Sequence, residues 1–177
     1  GALIMKTYVK RLSTATAVVL LGSLTGIAAH AEDKGKNDGF IKEAIQGNLA
    51  EQKLGQLAQE KGASEGVRNF GMHLEKDHSV ANRNAMEAAR SLGVTAPSQP
   101  NKMQQETYDR LSKLSGDAFD KAFIKDMVKD HKKDVNKYTE ESKESGAAGT
   151  YAKETLPHLK KHLQEAESLQ GNLQASD

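Results

Sequence analysis

Residues 64–93 read SEGVRNFGMHLEKDHSVANRNAMEAARSLG and predict one long amphipathic helix. Apolar side chains recur at steps of three and four residues, the spacing that places them on one face of an α-helix. Ser64 is a preferred N-cap residue, and Gly93 is a preferred residue just beyond a helix C-terminus. The apolar stripe is interrupted only at His78 and consists of Val67, Phe70, Leu74, Ala81, Ala85, Ala88 and Leu92.

Similar stripes predict three more long helices, at residues 38–61, 117–145 and 150–170, and a short helix at residues 102–114. Pro157 is expected to kink the last helix or to delay its first turns. Apolar stripes on four helices joined by short turns specify an all-α fold, an antiparallel four-helix bundle with a short extra helix between helices 2 and 3. The alternative, an open array of helical hairpins, would expose too much apolar surface to be stable alone.

The composition excludes several functional classes. The 177 residues include no Cys, which excludes a disulfide scaffold, a Cys-ligated zinc site and a cysteine nucleophile. Lys plus Arg (25) nearly balance Asp plus Glu (24), and this argues against a nucleic-acid-binding protein. No phosphate-binding glycine loop is present, and no Ser or Thr lies in a nucleophile-type setting. No catalytic residue set is therefore predicted.

The N-terminal residues have the features of a secretory signal peptide. A basic start that includes Lys10 and Arg11 precedes a short apolar run at residues 15–28 and a small-residue end, which predicts cleavage after Ala31. A membrane anchor is the alternative, but the run is shorter than the roughly 20 residues of a membrane span and is interrupted by Gly and Ser. The absence of Cys excludes a lipid-anchored lipoprotein. We expect a soluble periplasmic or secreted protein without a transmembrane anchor after cleavage.

The predicted organisation has four parts. They are a signal peptide at residues 1–31 (with residues 1–4 as an extra stretch ahead of Met5), a polar spacer at 32–37, a helical bundle at 38–171 and a tail at 172–177. The first part contains three basic residues and no acidic one, so residues 32–177 carry 22 basic against 24 acidic residues. The part beyond the signal is therefore mildly acidic.

Four polar residues interrupt the apolar stripes, one on each long helix, near its midpoint: Glu51, His78, His131 and His162. In an up-down bundle the helix midpoints lie at one level, so these side chains are expected to meet in the core. Desolvating a carboxylate and three imidazoles costs several kcal/mol each unless they are paired. A divalent metal would satisfy all four. Zinc fits this donor set best, with iron, copper, nickel and manganese as alternatives.

Other polar residues are weaker candidates. Glu75 lies three residues before His78, a spacing found in carboxylate-bridged metal sites, and His158 lies one turn before His162. Asp77 and Asp130 each precede a candidate histidine and point about 100° away from it, which suits them to support an imidazole on a neighbouring helix.

Separate structural roles for these residues remain an alternative. A single histidine on an apolar face is more often a hydrogen-bonded core residue, and Glu51 alone would usually face water. In the last helix a competing stripe through Leu156, Leu159 and Leu163 would move His162 to the flank.

Short motifs follow one another in order along the chain. They are Phe40-Ile41, Gly47-x-x-Ala50-Glu51, Met72 to Asp77-His78, Leu111-Ser-Lys-Leu114-Ser-Gly116-x-x-Phe119-Asp120, Asp130-His131 and Leu156-Pro157-x-Leu159-x-x-His162-Leu163. Through them the chain resembles the domain of unknown function 4142 family over roughly residues 40–169. The resemblance implies a ferritin-like fold and export by bacteria, and it matches the four candidate ligands to recurrent polar positions of the family. It implies no reaction, since the family's function is largely unassigned.

Three functions remain open at this stage. The wider ferritin-like group holds two irons with two Glu-x-x-His motifs, whereas this chain has such a motif only at Glu75 to His78, so a single-metal site fits better than a di-iron site. The first reading is therefore an exported single-metal protein with a structural, storage, sensing or stress role. The second is a metal-free interaction or stress module with a hydrogen-bonded His/Glu network. The third, an enzyme, would need an open coordination position.

Overall fold

The computed structural model describes the backbone of residues 25–175 and the side chains of residues 35–175. This part of the chain contains five helices and no strand: α1 Thr25–Lys61, α2 Glu65–Leu92, α3 Lys102–Leu111, α4 Gly116–Glu141 and α5 Gly146–Ala175. The predicted all-α fold is therefore confirmed. None of these helices combines the length and the apolar character that crossing a membrane requires.

Helix α2 begins and ends where its sequence predicts. The Ser64 hydroxyl accepts a hydrogen bond from the backbone N–H of Val67 at 3.3 Å, and so caps the first turn. At the other end Gly93 adopts φ 69°, a left-handed conformation that costs glycine little, and its N–H closes the last turn. Local capping residues were sufficient to predict both boundaries.

Two helices are longer at their N-termini than predicted. Helix α1 is described from Thr25, where the described backbone begins, rather than from near residue 38, so it includes residues 32–37, the stretch predicted to be a polar spacer. In that stretch Glu32, Lys34 and Lys36 favour a helix while Asp33, Gly35 and Asn37 do not, and no proline is present to end the helix there. The greater part of the predicted signal peptide, residues 1–24, lies outside the described residues.

Helix α5 starts at Gly146, which adopts φ 89°, and not near residue 150. Pro157 lies inside this helix and does not delay its first turns. Proline removes one backbone hydrogen bond from a helix. Burial of Tyr151, Ala152 and Leu159 on the opposite, core-facing side holds the helix together across that point. Within the described residues the helix continues to Ala175, into the predicted tail.

The helices form two pairs. Helix α1 packs along α2, and α4 packs along α5, while the two pairs meet chiefly between α2 and α5. The short helix α3 contacts both α1 and α4, which have little direct contact with each other. Asp120 of α4 connects the pairs at one end, because its carboxylate accepts hydrogen bonds from the backbone N–H groups of Ala63 at 2.9 Å and Ser64 at 2.8 Å.

The apolar core is divided into two clusters by a polar layer. On α2 the first cluster reaches Leu74 and the second begins at Ala85, and on α5 the second cluster ends at Leu159 and the first includes Ala166. His78 and His162 lie between these positions and are buried. Helices α1 and α4 show the same order, with Glu51 and His131 in the gap between the two clusters. The four stripe interruptions therefore mark one level of the molecule.

Candidate metal centre

The structure brings His78, His131 and His162 together from α2, α4 and α5. One ring nitrogen of each lies within 4.8 Å of the corresponding nitrogens of the other two. The ring centroids are 5.9 Å apart for His78 and His131, 5.4 Å for His78 and His162, and 5.5 Å for His131 and His162. All three side chains are almost fully buried, with exposed fractions of 4%, 1% and 1%. Three buried histidines could thus form a metal site.

One nitrogen of each ring makes a hydrogen bond to a neighbouring group, and these hydrogen bonds fix the tautomers. His131 Nδ1 lies 3.0 Å from the carbonyl oxygen of Met127, which can only accept, so Nδ1 carries the proton. His162 Nε2 donates in the same way to the carboxylate of Asp77 at 3.0 Å. His78 Nδ1 donates at 2.9 Å to Asn48 Oδ1, since the Asn48 amide nitrogen is turned to the Tyr151 hydroxyl at 2.9 Å.

The remaining ring nitrogens therefore carry lone pairs that face a common space. His78 Nε2, His131 Nε2 and His162 Nδ1 are buried and have no hydrogen-bond partner. Three lone pairs in such proximity repel each other and leave three acceptors unsatisfied, which is costly in a protein interior. With separations of at most 4.8 Å, a common point lies at most about 2.8 Å from each nitrogen, against about 2.0–2.1 Å for a zinc–nitrogen bond. Shifts of at most about 0.8 Å would suffice.

The site keeps its imidazoles neutral. Burial lowers the pKa of His78 well below its usual range, and the neighbouring histidines lower it further. Burial also lowers the pKa of His131 to about 3. For His162 burial lowers the pKa, although the hydrogen bond to Asp77 opposes that shift. Neutral imidazole is the form that binds a metal, so no proton has to leave these rings at neutral pH before a metal can bind.

Glu51, the predicted fourth ligand, is not part of the group of mutually close ligand atoms. Its side chain is only 8% exposed and its Oε2 atom is buried without a hydrogen-bond partner. Burial raises the pKa of Glu51 well above its usual range, and the carboxylates of Asp130, Asp134 and Asp126 raise it further. That Glu51 completes the ligand set stays a prediction.

The weaker candidates lie around the site. Glu75 is held away from it by Gln56 and Gln59, whose amide groups donate to its carboxylate at 2.8 Å each; these bonds lower the pKa of Glu75. His158 is exposed, with its Nδ1 atom 3.8 Å from the Asp77 carboxylate. Asp77 supports His162 on the neighbouring helix.

The register of α5 settles the competition between its two stripes. His162 is buried together with Leu159, whereas Leu156 and Leu163 are partly exposed. Asp130 on α4 was predicted to support an imidazole in the same way as Asp77. Unlike Asp77, it lines a cavity beside Glu51.

Two cavities reach the histidine layer from opposite sides. The larger, of about 610 Å³, lies between α1, α3 and α4 and is lined by Glu51, His78, Asp130 and Asp134, among others. The smaller, of about 100 Å³, lies between α2 and α5, and Asp77, His78, His158 and His162 line it. Burial raises the pKa of Asp134 to about 6, and the carboxylate of Asp130 adds to this. The larger cavity thus has an acidic wall next to the histidines.

Two residues of the site escaped the sequence analysis. Asn48 orients His78 and is 2% exposed, but it belongs to a second file of α1 that also contains the fully buried Ile41 and Ile45. Asn48 could have been predicted from the sequence as part of a second stripe of α1 with the same spacing. Asp134 lies one turn after Asp130, and this spacing is visible in the sequence.

Comparison with known proteins gives one result. No curated protein and no solved structure matches the chain significantly. A family model described as Domain of unknown function (DUF4142) matches residues 23–169, which is more than half of the chain. The match includes every member of the histidine group and Glu51. The protein therefore belongs to the family described as Domain of unknown function (DUF4142), the family whose motifs it resembles.

Proposed function

We propose that this protein is an exported, ferritin-like four-helix bundle that binds a single divalent metal through His78, His131 and His162. One observation carries the proposal. Each imidazole uses one nitrogen for a hydrogen bond that fixes its tautomer, and each turns the other, unpartnered nitrogen into the same buried space. Outer partners that orient ligand imidazoles are a regular feature of metal sites.

The architecture supports the ferritin-like assignment. Four long helices, α1, α2, α4 and α5, contribute residues to one polar layer, and α3 is the short extra helix between the second and third of them. Bundles of this kind build metal sites from side chains on facing helices. Export rests on the signal-peptide pattern of residues 1–31.

Zinc is the metal that we assign first. Three imidazole nitrogens with no sulfur ligand suit zinc. They also suit copper, nickel, iron and manganese, and the preference for nitrogen ligands falls in that order. A di-iron centre is disfavoured, because the only carboxylate that follows the Glu-x-x-His spacing, Glu75, is bonded to two glutamines instead of facing the histidines. We propose a structural, storage, sensing or stress role for the bound ion.

The second candidate is a metal-free interaction or stress module whose histidines form a hydrogen-bonded core network. The contacts with Asn48, Met127 and Asp77 favour it, because they satisfy one nitrogen of each ring. It leaves His78 Nε2, His131 Nε2 and His162 Nδ1 unexplained. A bound metal would also give a partner to the second nitrogen of each ring, so we rank the metal-binding function first.

Metal binding is tested on the purified full chain, which is treated with EDTA, freed of the chelator, and then either reloaded with zinc and desalted or left metal-free. We expect about one zinc per chain by elemental analysis, and a rise of several degrees in Tm on adding zinc, since a ligand that binds only the folded state stabilises it. The double variant His78→Ala, His131→Ala should lose both. His73→Ala is the matched control, because His73 is an exposed histidine on α2 bonded to Glu165 outside the group.

The opposite result is equally clear. Less than about 0.2 metal per chain, unchanged in the double variant, would exclude a specific site of the affinity that structural zinc sites show.

Export is tested separately by expressing the chain with its N-terminal segment and sequencing the product from the periplasmic fraction. A mature N-terminus at Glu32 is expected, and an uncleaved cytoplasmic product would contradict it.

A further inference from the structure

The larger cavity connects the histidine layer to the outside of the molecule between α1, α3 and α4. His78 lines its inner end, and residues of α3 such as Gln104 and Thr107 line it between the two long helices. It exists because α3 contacts both α1 and α4 while these two have little direct contact with each other. With about 610 Å³, it has room for a hydrated ion.

Charges in this cavity are sorted by depth. Lys129 and Lys133 are exposed, whereas Asp130 and Asp134 on the same helix are partly buried and Glu51 is buried. Lys137 also lines the cavity, but it is paired with Glu43. The lysines therefore lie at the rim with their charges in water, and the carboxylates lie further in, towards the histidines.

Glu51 gives the cavity a polar group that points to a cation. Its side chain is more than nine-tenths buried, it lines the cavity, and its Oε2 atom has no hydrogen-bond partner. Asp130 and Asp134 act on it as like charges. A cation among these three carboxylates would relieve their repulsion and satisfy the unpartnered oxygen.

We propose that this cavity is the passage by which a divalent cation enters and leaves the three-histidine site, and that Glu51, Asp130 and Asp134 hold the cation on the way. The inference rests on the proposed metal-binding function and deepens it. The three carboxylates are not close enough together to form a fixed site in this conformation, since among the described residues only the histidines bring three ligand atoms within 4.8 Å of one another. A transient position along a passage requires no such convergence.

The smaller cavity is the competing route. It reaches His78 and His162 from the side of α2 and α5, and Glu154 and Asp77 are its acidic lining residues. Its volume of about 100 Å³ is much smaller. Asp77 is engaged with His162, so it is less available to attract an incoming ion. These differences favour the larger cavity.

The test is the rate at which the EDTA-treated full chain binds cobalt(II), followed by stopped-flow absorbance, together with the rate at which excess chelator removes it. Asp134→Asn should slow association at low ionic strength by about 3- to 10-fold, and Asp134→Lys should slow it more, because local charge raises the on-rate of ions. A passage residue acts mainly on the barrier, which is crossed in both directions, so dissociation should slow as well and Kd should change less than either rate.

A second variant tests the passage without changing charge. A Cβ at Gly47 would have only the Gln104 side chain nearby, at 4.0 Å, and Gly47 lines the cavity. Gly47→Leu should therefore fold, narrow the passage and slow both rates. Glu140→Gln removes an exposed acid of α4 that is paired with Lys143 outside the cavity, and it should leave both rates unchanged.

The outcomes separate the two proposals. If Glu154→Gln slows loading while Asp134→Asn and Gly47→Leu do not, the smaller cavity is the route and the inference is wrong. It is also wrong if the Asp134 variants weaken Kd without slowing loading, which would make Asp134 part of the final site. If the unaltered protein binds no cobalt and no zinc at equilibrium, the proposed metal-binding function itself fails.

Discussion

Asp77 of α2 accepts a hydrogen bond at 3.0 Å from His162 of α5, while its neighbour His78 turns into the same buried space as His162. One dipeptide therefore supplies a ring nitrogen to the site and also orients a second ring on another helix. The contact leaves His162 Nδ1 as the nitrogen with the free lone pair. It lies where the two helix pairs meet, between α2 and α5.

Removing the Asp77 carboxylate should weaken metal binding without removing a ligand. Loss of an outer partner of a ligand histidine costs about 10- to 100-fold in metal affinity, and we expect this range for Asp77→Ala in a chelator-competition titration. Asp77→Asn should have a smaller effect, since its amide oxygen can still accept from His162. Lys76→Ala, at the exposed neighbouring position, serves as the control. An unchanged Kd for Asp77→Ala would show that the contact has no part in binding.

The close approach of α1 and α2 predicts opposite effects for two glycines of the same helix. A Cβ at Gly55 would lie 2.5 Å from the Gly71 carbonyl oxygen and 2.8 Å from the Glu75 amide nitrogen, both backbone atoms. Gly55→Ala should therefore lower the free energy of unfolding by about 1–3 kcal/mol. A Cβ at Gly39 meets nothing within 4 Å, and Gly39→Ala should raise it by about 0.5–1 kcal/mol. Urea denaturation measures both, and shifts in the same direction would contradict the packing argument.

Periodicity and capping predicted much of the fold. The steps of three and four residues predicted which faces are buried, and Ser64 and Gly93 predicted the bounds of α2. The start of α5 was missed because Gly146 begins it, and glycine is more typical of the position just beyond a helix than of its first residue. Pro157 was given too much weight, since local propensity yields to the burial of residues such as Tyr151 and Leu159 in the same helix.

For the site, the sequence predicted that the three histidines meet and that Asp77 supports an imidazole on a neighbouring helix, but it did not predict the rest of their surroundings. Their mid-helix positions were enough to place His78, His131 and His162 at one level. The position of Glu51 depends on the rotation of α1 about its axis and on the distance by which α3 separates α1 from α4. A single apolar stripe encodes neither the rotation nor the distance. Asn48 was missed for a related reason, because the buried face of α1 is wider than the one file that was followed.

Asp120 should be important for stability rather than for metal binding. Its fully buried carboxylate accepts from the backbone N–H groups of Ala63 and Ser64, which no other group satisfies at that turn. Hydrogen bonds to a charged group contribute about 1.5–3 kcal/mol each at most, and we expect Asp120→Ala to cost about 2–4 kcal/mol in total. Asp117→Ala, at an exposed position in the first turn of α4, should cost much less. Equal losses of stability for Asp120→Ala and Asp117→Ala in thermal or urea unfolding would disprove the role of the Asp120 hydrogen bonds to this turn.

Asp134→Asn should stabilise the metal-free protein at neutral pH. Burial raises the pKa of Asp134 to about 6, above its usual 3.8, so ionisation destabilises the folded state as the pH rises through this range. Because the side chain is partly exposed in the cavity, we expect a gain of only about 1–2 kcal/mol at pH 7. The difference between variant and parent should vanish only below about pH 3, where the carboxyl is protonated in both the folded and the unfolded state. A constant difference at all pH values would indicate a packing effect instead.

His131 should make the metal-free protein sensitive to acid. Its pKa is about 3 in the folded state and near 6.5 when exposed, so the unfolded chain takes up a proton first as the pH falls. The stability that neutral His131 contributes is complete above pH 6.5 and is lost progressively between pH 6.5 and 3. Between pH 7 and 5 this amounts to about 1–2 kcal/mol. In EDTA, His131→Leu should reduce the loss by that amount, whereas His73→Ala, at an exposed histidine, should not. An unchanged pH dependence in His131→Leu would show that the ring is not buried in its neutral form.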